Sequence, residues 1–111
     1  MGLSTHILDT HLGRPVANVA ITLYQQRDGA WHKIGSAMTD SDGRCGTLLA
    51  GHALAAADYK LHFETGPYFG GLQTRTLYPY VEIVFTVADP DQHYHVPLLL
   101  SANGYSTYRG S

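Results

Sequence analysis

Apolar residues recur at every second position along most of this chain, in runs that are short. In VAITLYQQ, Val19, Ile21 and Leu23 alternate with smaller or polar neighbours. In YKLHFET, Tyr59, Leu61 and Phe63 take one face and Lys60, His62 and Glu64 the other. A period of two marks a strand with one buried face, and a helix of 3.6 residues per turn cannot satisfy it. Turn-forming residues close the runs: RDG after the first, DSDG after AWHKIGSAMT, and DPDQ between VEIVFTVAD and YHVPLLLSA. With THILD near the start and YSTYR near the end, the chain offers seven or eight short strands at roughly 8–12 residue spacing. The pattern predicts an all-β chain, an antiparallel β-sandwich, as a single domain over residues 1–111. It shows no repeat, linker or low-complexity stretch. A short helix is expected only in YFGGLQTRT, residues 68–76, where glycines weaken it.

One strand departs from the usual division into a wet face and a dry face. In HYHVPLLL, Val96, Leu98 and Leu100 form one side, and His93, His95, Pro97 and Leu99 the other. The second side has no Lys, Glu or Asp, which predicts that it is covered, most economically by another copy of the chain. Pro97 has no N–H to give to a ladder, so it belongs at an edge, a bulge or an unpaired position.

Composition narrows the partners. Charged residues are 14% of the 111, hydrophobic residues 44%, and the net charge is -2 with seven histidines counted neutral. That balance gives no electrostatic ground for nucleic acid or an anionic membrane as partner. No apolar run approaches the ~20 residues of a membrane span. The start, MGLSTH, is not a signal peptide, and Cys45 is the sole cysteine, so no intramolecular disulfide forms. A cytoplasmic location is the simplest expectation, and a periplasmic form whose signal had been removed would read the same.

The residues that could carry chemistry are few. His93 and His95 share a face at a spacing seen in metal sites, but no third ligand follows, so no metal is expected. TDSDGR has Asp40, Asp42 and Gly43 without the later acidic residue of a calcium loop, and reads as a turn. Cys45 reads as a buried thiol, and His11, His32, His52 and His62 as surface or structural. His93 reads as interfacial, with a supporting role behind His95 as the other choice.

Three segments together, STHILDTHLGRPV (4–16), TDSDGR (39–44) and YHVPLLLSANGYSTYRGS (94–111), resemble the transthyretin-related proteins. More narrowly they resemble the branch that hydrolyses 5-hydroxyisourate, which ends in Tyr-Arg-Gly-Ser as Tyr108, Arg109, Gly110 and Ser111 do here. The resemblance implies a transthyretin-like sandwich of two four-stranded antiparallel sheets with one short helix. It also implies a homotetramer with active sites where dimers meet, a small-molecule substrate and no cofactor. It places catalytic roles on His6, Arg44, His95 and Ser111, and substrate binding on His6, Arg44 and Tyr108. The two histidines would share the proton work, either being the base, and Ser111 would act through its hydroxyl or a terminal carboxylate. The tail is then a wall of the pocket; the plainer reading makes it only the last strand, with Tyr108 packed and Arg109 solvated. A transthyretin-like carrier without turnover and a metal-binding sandwich are the competing functions. SANGYS lacks the proline that relatives often carry in that corner, where Asn103-Gly104 can turn the chain instead.

Overall fold

A computed structural model describes residues 2–111. Its elements in chain order are β1 (Gly2–Asp9), β2 (Arg14–Pro15), β3 (Ala20–Arg27), β4 (Ala30–Met38), β5 (Arg44–Cys45), β6 (Ala57–Phe63), α1 (Gly66–Gly71), β7 (Val81–Val87), β8 (His93–Ser101) and β9 (Gly104–Thr107). Each long strand lies on a segment where the sequence alternates. In β1, Leu3, Thr5, Ile7 and Asp9 are buried, while Ser4, His6 and Leu8 face outward.

The strands form two sheets. One runs β4-β3-β6-β7, wholly antiparallel. The other runs β2-β1-β8-β9, with the two-residue β5 also paired to β1. The sandwich and its short helix are as expected, and the second sheet adds two features. It has a fifth, very short strand, and β1 pairs with β8 in parallel, Ser4 opposite His95 and His6 opposite Pro97. The inner faces meet in a core that includes Ile7, Ile21, Leu23, Tyr59, Leu61, Phe63, Leu98 and Leu100.

Two polar groups of β1 are buried in that core, and both are satisfied. The Thr5 hydroxyl donates to the Val96 carbonyl at 2.6 Å. The Asp9 carboxylate accepts from the Tyr68 hydroxyl and from the N–H groups of His11 and Leu12. Burial works against the Asp9 charge, but these hydrogen bonds outweigh it and hold the carboxyl below its ordinary value.

The helix starts earlier than the expected 68–76 and is shorter. Pro67 in its first turn supplies a helical φ without needing a donor, and the Gly70-Gly71 pair ends it after six residues. On the outer face of the β4-β3-β6-β7 sheet, His62 lies between Glu82 at 2.8 Å and Glu64 at 2.7 Å, stacked on Tyr80. That fits its structural reading. No helix among the described residues is long and apolar enough to cross a membrane.

Pro97 shapes the end of the chain. β8 and β9 pair in antiparallel register, Leu99 with Ser106 and Leu98 with Thr107, which would bring Pro97 opposite Tyr108. Proline has no N–H for that pair, and its carbonyl is taken by the Thr107 hydroxyl at 2.7 Å. The ladder therefore opens over Tyr108 and Arg109. It resumes in the same register at Gly110, whose N–H donates to the His95 carbonyl at 2.8 Å. Pro97 thus occupies a position inside a central strand that is unpaired on the β9 side. The expected strand YSTYR ends at Thr107 for this reason.

Candidate active site

The outer face of the β1–β8 pair is where the sequence-predicted residues gather. Because side chains alternate, Ser4 and His6 project from β1 on the same side as His93, His95 and Pro97 from β8. Arg44 comes from β5, which lies along the other edge of β1 with Arg44 opposite His6. The TDSDGR turn fixes it there. The Asp40 carboxylate accepts from the N–H groups of Asp42 and Arg44, and the Gly43 carbonyl accepts from the Ile7 N–H. Gly43 has φ 72, and a Cβ on it would come within 2.5 Å of the Ile7 carbonyl oxygen, so this close approach needs glycine. The turn reading of TDSDGR holds, and its purpose is to seat Arg44.

Between these elements lies a cleft of about 370 Å³, walled by Ser4, Arg44, Gly46, His93, His95 and Ser111 among others. His95, Arg44 and Ser111 are thus brought together as expected. His6 borders the cleft on the same face rather than walling it, near enough for its charge to bear on His95. Tyr108 is not brought in. It is 56% exposed and borders a separate groove of about 280 Å³ beside Val84, Phe85 and Arg109. Arg109 stacks on the Tyr94 ring at 4.5 Å and donates to the Gln92 side chain at 2.7 Å, so it is anchored rather than merely solvated.

The electrostatics single out His95. Its pKa is lowered, first by burial and then by the positive charges of His6, His93 and Arg44; a hydrogen bond to the Ser4 backbone pulls weakly the other way. Its imidazole is held neutral at neutral pH, the state a general base requires. The ring is fixed from two sides. Nδ1 lies 2.8 Å from the Ser4 hydroxyl, and the tail crosses its edge closely enough that a Cβ on Gly110 would fall 2.4 Å from Cδ2.

The Ser4 hydroxyl also lies 3.0 Å from Nε2 of His93. Sequence reasoning gave Ser4 no role and took His93 as interfacial. The period-two rule already put Ser4 on the face of His6, but nothing local says that β1 lies beside β8. Among the described residues no group of three or more His, Cys, Asp or Glu is arranged to hold a metal ion.

Size alone would choose another place. A more apolar concavity of about 510 Å³ lies between the Asp9–Leu12 turn, α1 and the β8–β9 turn. Its one carboxylate, Asp9, is already committed to Tyr68 and two backbone N–H groups, and no arginine lines it. The smaller cleft has the reactive groups.

A two-sheet sandwich with an imidazole and guanidinium cleft on its outer face is a transthyretin-type fold bearing a polar site. The chain belongs to the HIUase/Transthyretin family, whose model matches residues 3–110. It is 48% identical over 114 residues to 5-hydroxyisourate hydrolase 2 of Rhizobium meliloti, covering 98% of this chain and 95% of that one. Among solved structures it resembles Klebsiella pneumoniae 5-hydroxyisourate hydrolase, with TM-score 0.85, 34% identity and 99% and 98% of the two chains covered. It equally resembles transthyretin from Sparus aurata, with TM-score 0.90, 30% identity and 98% and 96% covered. The backbone therefore does not separate an enzyme from a carrier. The side chains in the cleft must do so.

Proposed function

We propose that this chain, as one domain, hydrolyses 5-hydroxyisourate, opening a cyclic amide C–N bond to give 2-oxo-4-hydroxy-4-carboxy-5-ureidoimidazoline in urate breakdown. The carrying observation is the cleft itself: an imidazole kept neutral, next to a guanidinium, on a chain 48% identical to a 5-hydroxyisourate hydrolase. A carrier of a hydrophobic ligand would want an apolar lining there, and this one is polar.

The chemistry needs an activated water, a stabilised oxyanion and a proton for the leaving nitrogen. His95 takes a proton from water at the ring nitrogen not held by Ser4, a role worth about 10²–10⁴-fold in rate. Arg44 offers a fixed fork of donors to the substrate carbonyl as it becomes an oxyanion. His6, bordering the cleft, supplies the proton to the departing nitrogen, and Ser111 orients the water from the opposite wall. No cofactor enters this reading.

The site faces outward on a sheet whose outer side, beside it, carries no charged residue on β8, only Pro97, already buried, and Leu99, half-buried. A second copy laid over this face would close the cleft, which is the basis for a homotetramer with sites between dimers. Tyr108, outside its own chain's cleft, is the substrate-binding residue that this reading leaves to the assembled form.

The pH profile of kcat/KM tests the base assignment. Protonating His95 removes the base, so activity falls as pH drops through its pKa; because that pKa is lowered, the acid limb has its midpoint below 6.5, with a plateau above. A midpoint at or above 6.5 would remove His95 from the role. Absence of turnover at every pH would overturn the hydrolase reading.

A further inference from the structure

His93, Ser4 and His95 form an unbroken line of hydrogen-bonding atoms along the wall of the cleft, from half-buried His95 to the more exposed His93. His95 Nδ1 and the Ser4 hydroxyl are 2.8 Å apart, and the same hydroxyl and His93 Nε2 are 3.0 Å apart. A serine hydroxyl has one proton to give and two lone pairs. Between two neutral imidazoles it can accept from one and donate to the other, or accept from both, and never donate to both. Only the first arrangement can pass a proton along the line, and in it the tautomer at one end sets the tautomer at the other.

The parallel pairing of β1 with β8 is what makes the bridge. Ser4 stands opposite His95, and Gly2 stands opposite His93. The His93 ring packs beside β1 at position 2, where even a Cβ would meet its Nδ1 only at ordinary contact distance, 3.4 Å. One serine on the neighbouring strand can then reach both rings, which lie two residues apart on β8.

Resting on the hydrolase reading above, we propose that Ser4 and His93 are positioning residues that relay the proton taken up by His95. In the resting state His95 donates Nδ1–H to the Ser4 oxygen, and Ser4 donates its hydroxyl proton to Nε2 of His93. This leaves His95 Nε2 bare and aimed at water. When His95 Nε2 bonds the water proton, its Nδ1 proton passes to Ser4 Oγ and the Ser4 proton passes to His93 Nε2. One proton has entered at His95, one has arrived at His93, and the hydroxide left behind attacks the substrate. Reversal of the line, or exchange at the exposed His93 with solvent, resets it.

The reason for moving the charge lies in what surrounds His95. It faces Arg44 from β5, His6 from β1 and His93 from its own strand, with Ser111 from the tail. An imidazolium held there, half-buried beside a permanent cation, is disfavoured; His93, the more exposed ring in the single chain, lets water screen the same charge better. The relay lets a base kept weak by its neighbours complete its transfer.

The test is steady-state turnover of 5-hydroxyisourate by Ser4→Ala, Ser4→Thr, His93→Gln and His95→Ala in the full chain, with proton inventories in H₂O–D₂O mixtures. Ser4→Ala and His93→Gln should each lower kcat about tenfold to a hundredfold with KM nearly unchanged, and the double variant should fall little further. Ser4→Thr, which keeps the hydroxyl, should restore most of the rate. The wild-type inventory should be bowed, as for several protons in flight, and that of Ser4→Ala linear.

¹⁵N chemical shifts of the wild-type imidazoles give a reading that needs no variant to fold: His95 should carry its proton on Nδ1. Wild-type kcat in Ser4→Ala, or a His95 proton on Nε2, would overturn the relay while leaving the hydrolase reading intact. Activity retained in His95→Ala would instead overturn the base assignment, and the relay with it.

Discussion

Gly110→Ala should lower kcat/KM by about 10²-fold or more, the scale of a catalytic group displaced by roughly an ångström. A methyl group at position 110 would sit 2.4 Å from Cδ2 of His95 and 3.1 Å from Cγ. Those atoms belong to a rigid ring already tied to Ser4, so they cannot yield as a flexible side-chain tip would. Either the ring swings away from Ser4 or the tail lifts off β8 and loses the Gly110 N–H bond to the His95 carbonyl. Both outcomes should disarm the cleft, since the first moves the proposed base and the second moves Ser111. The fold should barely notice, because the contact lies on the outer face, beyond the last rung of β9. A thermal midpoint near that of wild type, with the activity gone, is the expected combination. Full activity in a folded variant would mean that the tail does not position His95.

Arg44→Lys should cost about 10²-fold in kcat/KM, the scale of losing one donor to an oxyanion. Lysine retains the charge and loses the planar fork, so geometry is what the substitution removes. Its acid limb should stay where the wild type has it, because a cation still faces His95. Arg44→Gln removes the cation as well, and its acid limb should move to higher pH, since one of the influences lowering the His95 pKa is gone. The pair separates the two jobs proposed for Arg44. An acid limb that did not move in Arg44→Gln would leave Arg44 with the oxyanion alone.

The sequence made the strands legible because a two-residue period is a local signal, and the inward faces of β3, β6 and β8 follow from it directly. It also identified Pro97 as the residue that breaks a ladder. Carried one step further, the antiparallel register places Pro97 opposite Tyr108, which explains why the tail leaves the sheet for two residues and returns at Gly110. The parallel pairing of β1 with β8 was not legible: the strands lie 89 residues apart, Ser4 to His93, and no local pattern says that they touch. The Ser4 bridge depends entirely on that pairing.

Of the candidate residues, Arg44, His95 and Ser111 line one cleft, and His6 borders it. Their convergence was expected from the resemblance and not from spacing, since they come from three strands and a tail. Tyr108 points elsewhere in the single chain, because the gap opposite Pro97 frees its backbone from the ladder. The short strand β5 escaped notice for a simpler reason. Two residues are too few to show a period.

Hydrolysis of 5-hydroxyisourate in this cleft, with His95 as a working part, is open to a simple assay. The most direct test generates that compound from urate with urate oxidase in the cuvette. Its absorbance decay is then followed with wild type, with His95→Ala and with buffer alone. Wild type should give rapid decay, and His95→Ala decay within a few per cent of the buffer rate, following the loss expected for a general base. A folded wild-type protein that left the decay at the buffer rate would contradict the hydrolase reading, and would return the chain to the carriers whose backbone it shares.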